Sequence, residues 1–167
     1  MPLFNLEPVN LVAPQFIQLL DRKDSGVDGG MAVDSAWTNR ELNTITMDET
    51  AEVTLLSNKF VLPKGSYEIF ARANFYSTNA TRIRLWDNTS NSLILLSSNA
   101  YIPGTSRSAN NYSDVLLSGK FSLDNSRSLS LDYYCSSPQS SSANLGGAEI
   151  ETGVSEIYTC IDFRKVS

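Results

Sequence analysis

The chain has 167 residues, 41% of them hydrophobic and 19% charged, with a formal net charge of −5 and no histidine. A chain of this length fits one domain, able to bury about 70% of its unfolded surface without disulfide staples. The missing histidine excludes Ser-His-Asp and Cys-His nucleophilic catalysis and every histidine-based metal site, and Lys and Arg cluster nowhere, so nucleic acid is a poor partner.

Residues 1–30 differ from the rest. Leu3, Phe4, Leu6, Val9, Leu11, Val12 and Phe16 are apolar, with Pro2, Pro8 and Pro14 among them. Proline fixes φ, removes a donor and biases its neighbour to extended backbone, so the segment reads as an extended arm. Phe16–Leu20 has the composition of a short strand, and Asp24–Gly30 reads as a flexible loop. An arm this apolar packs either along its own domain or onto a neighbouring subunit or another protein. Its prolines and lack of periodicity suit the second, which makes these seven residues the candidate partner-binding arm.

Residues 31–167 read as a strand ladder. Strands are expected at Ala36–Ile45, Glu52–Leu56, Gly65–Tyr76, Thr81–Trp86, Leu93–Ser97, Tyr112–Leu123, Arg127–Cys135 and Ser155–Val166. Period-two alternation gives each a core face: Tyr67, Ile69, Ala71, Ala73 and Phe75 in one, Leu129, Leu131, Tyr133 and Cys135 in another, Ile157, Thr159, Ile161 and Phe163 in the last. Turn signals such as Pro63-Lys64-Gly65, Asp87-Asn88 and Asp124-Asn125 separate them. Ser136–Gly147 is a low-complexity stretch and reads as a mobile connector. No amphipathic helix is visible. About eight such strands predict an all-β, antiparallel jelly-roll β-sandwich.

Little in the chain points to chemistry. Cys135 is expected to face the core and Cys160 the opposite side, which argues for two reduced thiols and against a bridge. The cysteines lack CxxC spacing, and Asp21, Asp24 and Asp28 do not match a calcium loop, so no metal or cofactor is expected. No phosphate loop occurs, and no carboxylate pair announces itself; the chain is not expected to be an enzyme. Residues 1–20 lack Lys and Arg, and their prolines break any apolar h-region, so neither a secretory signal nor a membrane span is expected and synthesis in a host cytoplasm is. Most aromatics should be core; Tyr101 and Tyr112, read as loop residues, are the candidate contacts for a glycan.

Several ordered motifs lie between Asp21 and Val166. They are Asp24-Ser25-Gly26 with Gly29-Gly30, Trp37, Arg40-Glu41-Leu42-Asn43-Thr44, Leu62-Pro63-Lys64-Gly65-Ser66-Tyr67, Arg84-Leu85-Trp86-Asp87-Asn88-Thr89, Gly119-Lys120-Phe121 and Val154-Ser155-Glu156-Ile157-Tyr158. Together they resemble a widespread bacteriophage domain of the tumour-necrosis-factor-like jelly-roll type. The resemblance implies a homotrimer on the virion, either as a capsid cement (decoration) protein or as the tip of a tail fibre or tailspike that recognises host surface glycan. It carries over no catalytic residue. A fibre tip needs a shaft, and no repeat or heptad precedes the domain, so a free-standing cement trimer that contacts the major capsid protein on the capsid surface is the first expectation.

Overall fold

The computed structural model describes residues 13–103, 112–148 and 153–167. Among these residues it contains twelve strands and no helix: β1 (Gln15–Lys23), β2 (Thr38–Asn39), β3 (Thr44–Asp48), β4 (Thr54–Leu56), β5 (Lys59–Leu62), β6 (Gly65–Tyr76), β7 (Asn79–Asp87), β8 (Ser92–Leu96), β9 (Ala100–Ile102), β10 (Tyr112–Leu123), β11 (Arg127–Cys135) and β12 (Glu156–Lys165). Five form one antiparallel sheet in the order β10-β6-β12-β1-β3. Seven form the other, in the order β4-β5-β11-β7-β8, with β2 added to β11 and β9 to β7.

Alternation explains why these segments pair. In β6 the odd-numbered Tyr67, Ile69, Ala71, Ala73 and Phe75 are all 4% exposed or less. They face Leu129, Leu131 and Tyr133 of the opposite sheet across one continuous core. Phe60–Phe163 and Phe75–Tyr133 join the layers as tilted ring pairs, centroids 5.5 and 6.0 Å apart. The β4–β5 hairpin turns on Ser57 and Asn58, both at positive φ (51° and 66°), the backbone that a two-residue turn between twisted strands requires.

Two longer turns are held by aspartates. Asp48 accepts from Thr50, Ala51 and Val53 amides, and Asp87 from the Thr89 amide (2.7 Å), the Ser90 amide (3.1 Å) and the Ser90 hydroxyl (2.7 Å). Burial raises the Asp87 pKa, but these donors and the Arg127 guanidinium outweigh it and hold the carboxyl below its ordinary value. The stability this contributes is therefore present above the ordinary carboxylate range and lost as pH falls through the depressed value. Asp87→Ala is expected to cost roughly 1–3 kcal/mol at neutral pH. In urea melts the gap to wild type should close below about pH 4, near the unfolded carboxylate pKa; a gap independent of pH would refute this.

The structure departs from the sequence expectations in several places. Phe16–Leu20 is part of a nine-residue strand rather than the end of an arm: β1 lies inside the five-stranded sheet between β12 and β3, with Ile17 and Leu19 1% exposed or less. The single strand expected at Ala36–Ile45 is two strands in different sheets, because β2 pairs with β11 and β3 with β1. In β12 the parity flips: opposite the Asp21/Arg22 irregularity the register skips Tyr158, so Tyr158 is 6% exposed and Ile157 46%. Cys135 is buried and Cys160 partly exposed, both as free thiols that burial pushes up to about 11. Finally, β5 and β9 add to the eight strands expected, since each is only three or four residues long and leans on a longer neighbour.

Ser136–Gly147 is anchored rather than loose in its second half. Asn144 and Leu145 are 0% and 8% exposed. The Tyr76 amide donates to the Asn144 carbonyl, Leu145 and Gly30 pair through the backbone, and Asp28 accepts from the Ala148 amide. Gly146 sits at φ 124° where a Cβ would overlap the Tyr158 ring, so only glycine fits. Beneath the loop lies Arg40, 0% exposed, at the point where the chain crosses between the sheets. Its Nε donates to Thr159 Oγ1 (2.6 Å), and its Nη2 donates to the carbonyls of Leu145 and Tyr158. Burial pushes the guanidinium pKa down to about 10, with the buried Asp21 carboxylate as the main opposing charge. Lys23 approaches Asp21 at 3.4 Å but lies closer to Glu41.

Candidate interaction surfaces

The outer face of the five-stranded sheet takes its composition from residues between the core positions. Cross-strand neighbours place Lys120, Glu68, Arg164 and Phe16 in one row, and Ser118, Phe70, Asp162, Gln18 and Met47 in the next. Leu116, Arg72 and Cys160 follow. Phe16, Met47, Phe70 and Leu116 are 45–50% exposed, large apolar side chains on a sheet face that otherwise pairs its charges internally. Glu68 takes both Lys120 (2.7 Å) and Arg164 (3.1 Å), which hold its carboxyl below the usual range, and Arg72 reaches Asp114 at 3.5 Å. A shallow groove of about 290 Å³ runs between Phe16, Phe70 and Asp162. A face with four exposed large apolar groups and matched charges suits burial against protein.

The outer face of the seven-stranded sheet is built differently. Arg84 on β7 stacks between Trp37 and Trp86, its guanidinium carbon 4.3 and 3.8 Å from the two ring centroids. It also pairs with Asp132 on β11 at 3.0 Å. Asp132 accepts from Asn39 (2.6 Å) and Ser130 (2.7 Å), and Trp37 packs on Tyr134 at 5.6 Å. Leu93 and Leu96, 50% and 40% exposed, flank this cluster opposite Trp86 and Arg84. The sequence shows Trp37 and Trp86 as separate strand aromatics; their convergence depends on β2 joining β11 beside β7, which no local pattern reveals.

Of the candidate arm residues, Leu3, Phe4, Leu6, Val9, Leu11 and Val12 lie outside the described residues, and Phe16 lies on the five-stranded sheet's outer face. Tyr101 sits in a strand rather than a loop, Tyr112 is the first residue of the strand expected at Tyr112–Leu123, and the two are not together. Tyr101 is on β9, 72% exposed, directly across from Ala80 on the outer side of β7. Tyr112 opens β10 in the other sheet and stacks on Tyr76, ring centroids 4.6 Å apart. Among the described residues no group of three or more Cys, Asp or Glu side chains is placed to hold a metal.

No protein-family model matches the sequence, and no curated protein matches it. Solved structures do match in fold. Murine APRIL superposes with a TM-score of 0.54 at 11% identity, covering 91% of this chain and 98% of its own, and with 0.56 over the same coverage in its form at pH 5.0. The globular domain of the zebrafish complement 1qA protein superposes with a TM-score of 0.53 at 9% identity, covering 92% of this chain and 97% of its own. The chain has a jelly-roll fold of the tumour-necrosis-factor-like kind. At these identities the likeness concerns fold alone.

Proposed function

We propose that this chain is a non-catalytic structural protein of a bacteriophage virion: a homotrimeric cement, or decoration, protein on the outer capsid surface, made in the host cytoplasm. The observation that carries the assembly part is the outer face of the five-stranded sheet, where Phe16, Met47, Phe70 and Leu116 are exposed amid paired charges. A threefold arrangement of that face would remove it from water, in keeping with the trimer that the motif resemblance implies. The capsid part is supported by the apolar, proline-punctuated residues 1–12, three copies of which would multiply weak contacts with the major capsid protein.

A truncation that tests this must stop before Gln15, because β1 is an inner strand of the sheet. Deleting residues 1–12 is expected to leave a folded trimer that no longer co-sediments with capsids lacking the protein. Retained co-sedimentation would sink the cement role. The 72% exposure of Tyr101 favours a second reading, a receptor-binding tip of a tail fibre or tailspike that recognises host surface glycan. Copy number separates the two: abundance comparable to the major capsid protein indicates cement, and a small multiple of three per virion indicates a tail tip.

A further inference from the structure

We propose that the outer face of the seven-stranded sheet is a binding strip for an acidic saccharide, with Arg82 as the group that pairs with the sugar carboxylate. This deepens the glycan-binding reading by giving it a place and a class of ligand, and it does not depend on the capsid reading.

Parity along β7 defines the strip. Ala80, Arg82, Arg84 and Trp86 point outward, alternating with the buried Thr81, Ile83 and Leu85. At about 3.3 Å per residue the strip from Ala80 to Trp86 is roughly 20 Å long. Aromatic groups stand along its whole length: Tyr101 across from Ala80, Tyr134 across from Arg82, and Trp37 and Trp86 around Arg84. Sugar rings stack their C–H faces on such side chains, and a linear oligosaccharide has the matching shape.

Charge then selects the ligand. Arg84 is neutralised by Asp132. Arg82 is not: among the described residues it forms no ion pair, its Nη2 donates only to the Ser97 carbonyl at 3.3 Å, and its Nε is buried without a partner. A guanidinium without a carboxylate, on a chain of net charge −5, between Tyr101 and Tyr134, is complementary to a single anionic group presented by a stacked sugar. Neutral sugars would leave that charge unanswered.

The test titrates the full-length protein with oligogalacturonate and with oligosialic acid, against maltodextrin of similar length, by calorimetry and by amide chemical-shift mapping. The expected result is saturable binding of at least one acidic oligomer, weakened by added salt, with shifts centred on Arg82, Tyr101 and Trp37. Arg82→Gln should raise Kd by about tenfold or more, and Tyr101→Ala, at a 72% exposed position that tolerates truncation, by several-fold. Lys64→Gln, in the exposed turn before β6 and away from the strip, should leave Kd unchanged. Absence of binding by both acidic oligomers at about 10 mM overturns the proposal, as does an unchanged Kd in both strip variants. Equal binding of maltodextrin overturns the acidic assignment while leaving a glycan-binding reading in place.

Discussion

Replacing Arg40 by methionine is expected to cost about 3–5 kcal/mol of folding stability, the penalty for leaving several buried polar groups without their donor. Three acceptors lose their donor at once: Thr159 Oγ1 and the carbonyls of Leu145 and Tyr158, all deep between the sheets. Asp21, also 0% exposed, is left with only Lys23 nearby. Burial already raises the Asp21 pKa despite Arg40 and Lys23, so ionising it opposes folding, and its contribution improves as pH falls through that raised value. The variant should therefore regain part of its loss on mild acidification. It should also expose the amides of Leu145 and Gly146 to faster hydrogen exchange, since the loop above Arg40 loses its anchor. Pairing Arg40→Met with Asp21→Leu should recover part of the stability, because it removes the buried carboxyl whose charge Arg40 no longer offsets. Urea melts of the single and double variants decide the matter: a loss under about 1 kcal/mol for Arg40→Met would show that Arg40 is dispensable to the fold.

Phe70→Asp is expected to turn the proposed trimer into monomers without unfolding them. Phe70 is 49% exposed in the isolated chain, so the domain itself asks little of its ring. In an assembly that buries the five-stranded sheet's outer face, each copy would have to desolvate an unpaired carboxylate beside Asp162, its cross-strand neighbour. A cost of roughly 3 kcal/mol per site weakens association more than a hundredfold. Light scattering behind size-exclusion chromatography reads this directly, with circular dichroism as the check on folding. A trimer that persists in Phe70→Asp and in Leu116→Asp would place the self-association surface elsewhere.

The long strands were legible because one physical rule, a single buried face, governs each of their residues. Gly65–Tyr76, Tyr112–Leu123 and Arg127–Cys135 were expected with those bounds and have them. What local alternation could not reveal was exchange between layers. Ala36 through Ile45 reads as one strand, yet the chain leaves the seven-stranded sheet after Asn39 and joins the other at Thr44. The crossing explains why Arg40 is buried, a fate that a charged residue's type argues against. The same limit hid the candidate strip. Arg84 and Trp86 announce themselves as an alternating pair, but Trp37 reaches them through a pairing of β2 with β11 across more than half of the chain, and Tyr101 joins the strip through the short strand β9. Tyr158 was misplaced for a smaller reason: one irregularity in the β1–β12 register reverses the faces beyond it.

The strand order of the five-stranded sheet also bears on biosynthesis. β12 is the last of the twelve described strands in chain order, and it inserts between β6 and β1, one of which precedes it by some 90 residues and the other by some 140. Until it arrives, the layer exists as two unjoined fragments, β10-β6 and β1-β3, each with an open edge toward the gap. Such non-local closure is slow, on the order of milliseconds to seconds. A nascent chain on the ribosome must wait with its apolar strands uncovered, so chaperone dependence should peak just before Glu156–Lys165 emerges. A chain stopped short of that segment would present two unpaired edges, a ready template for aggregation.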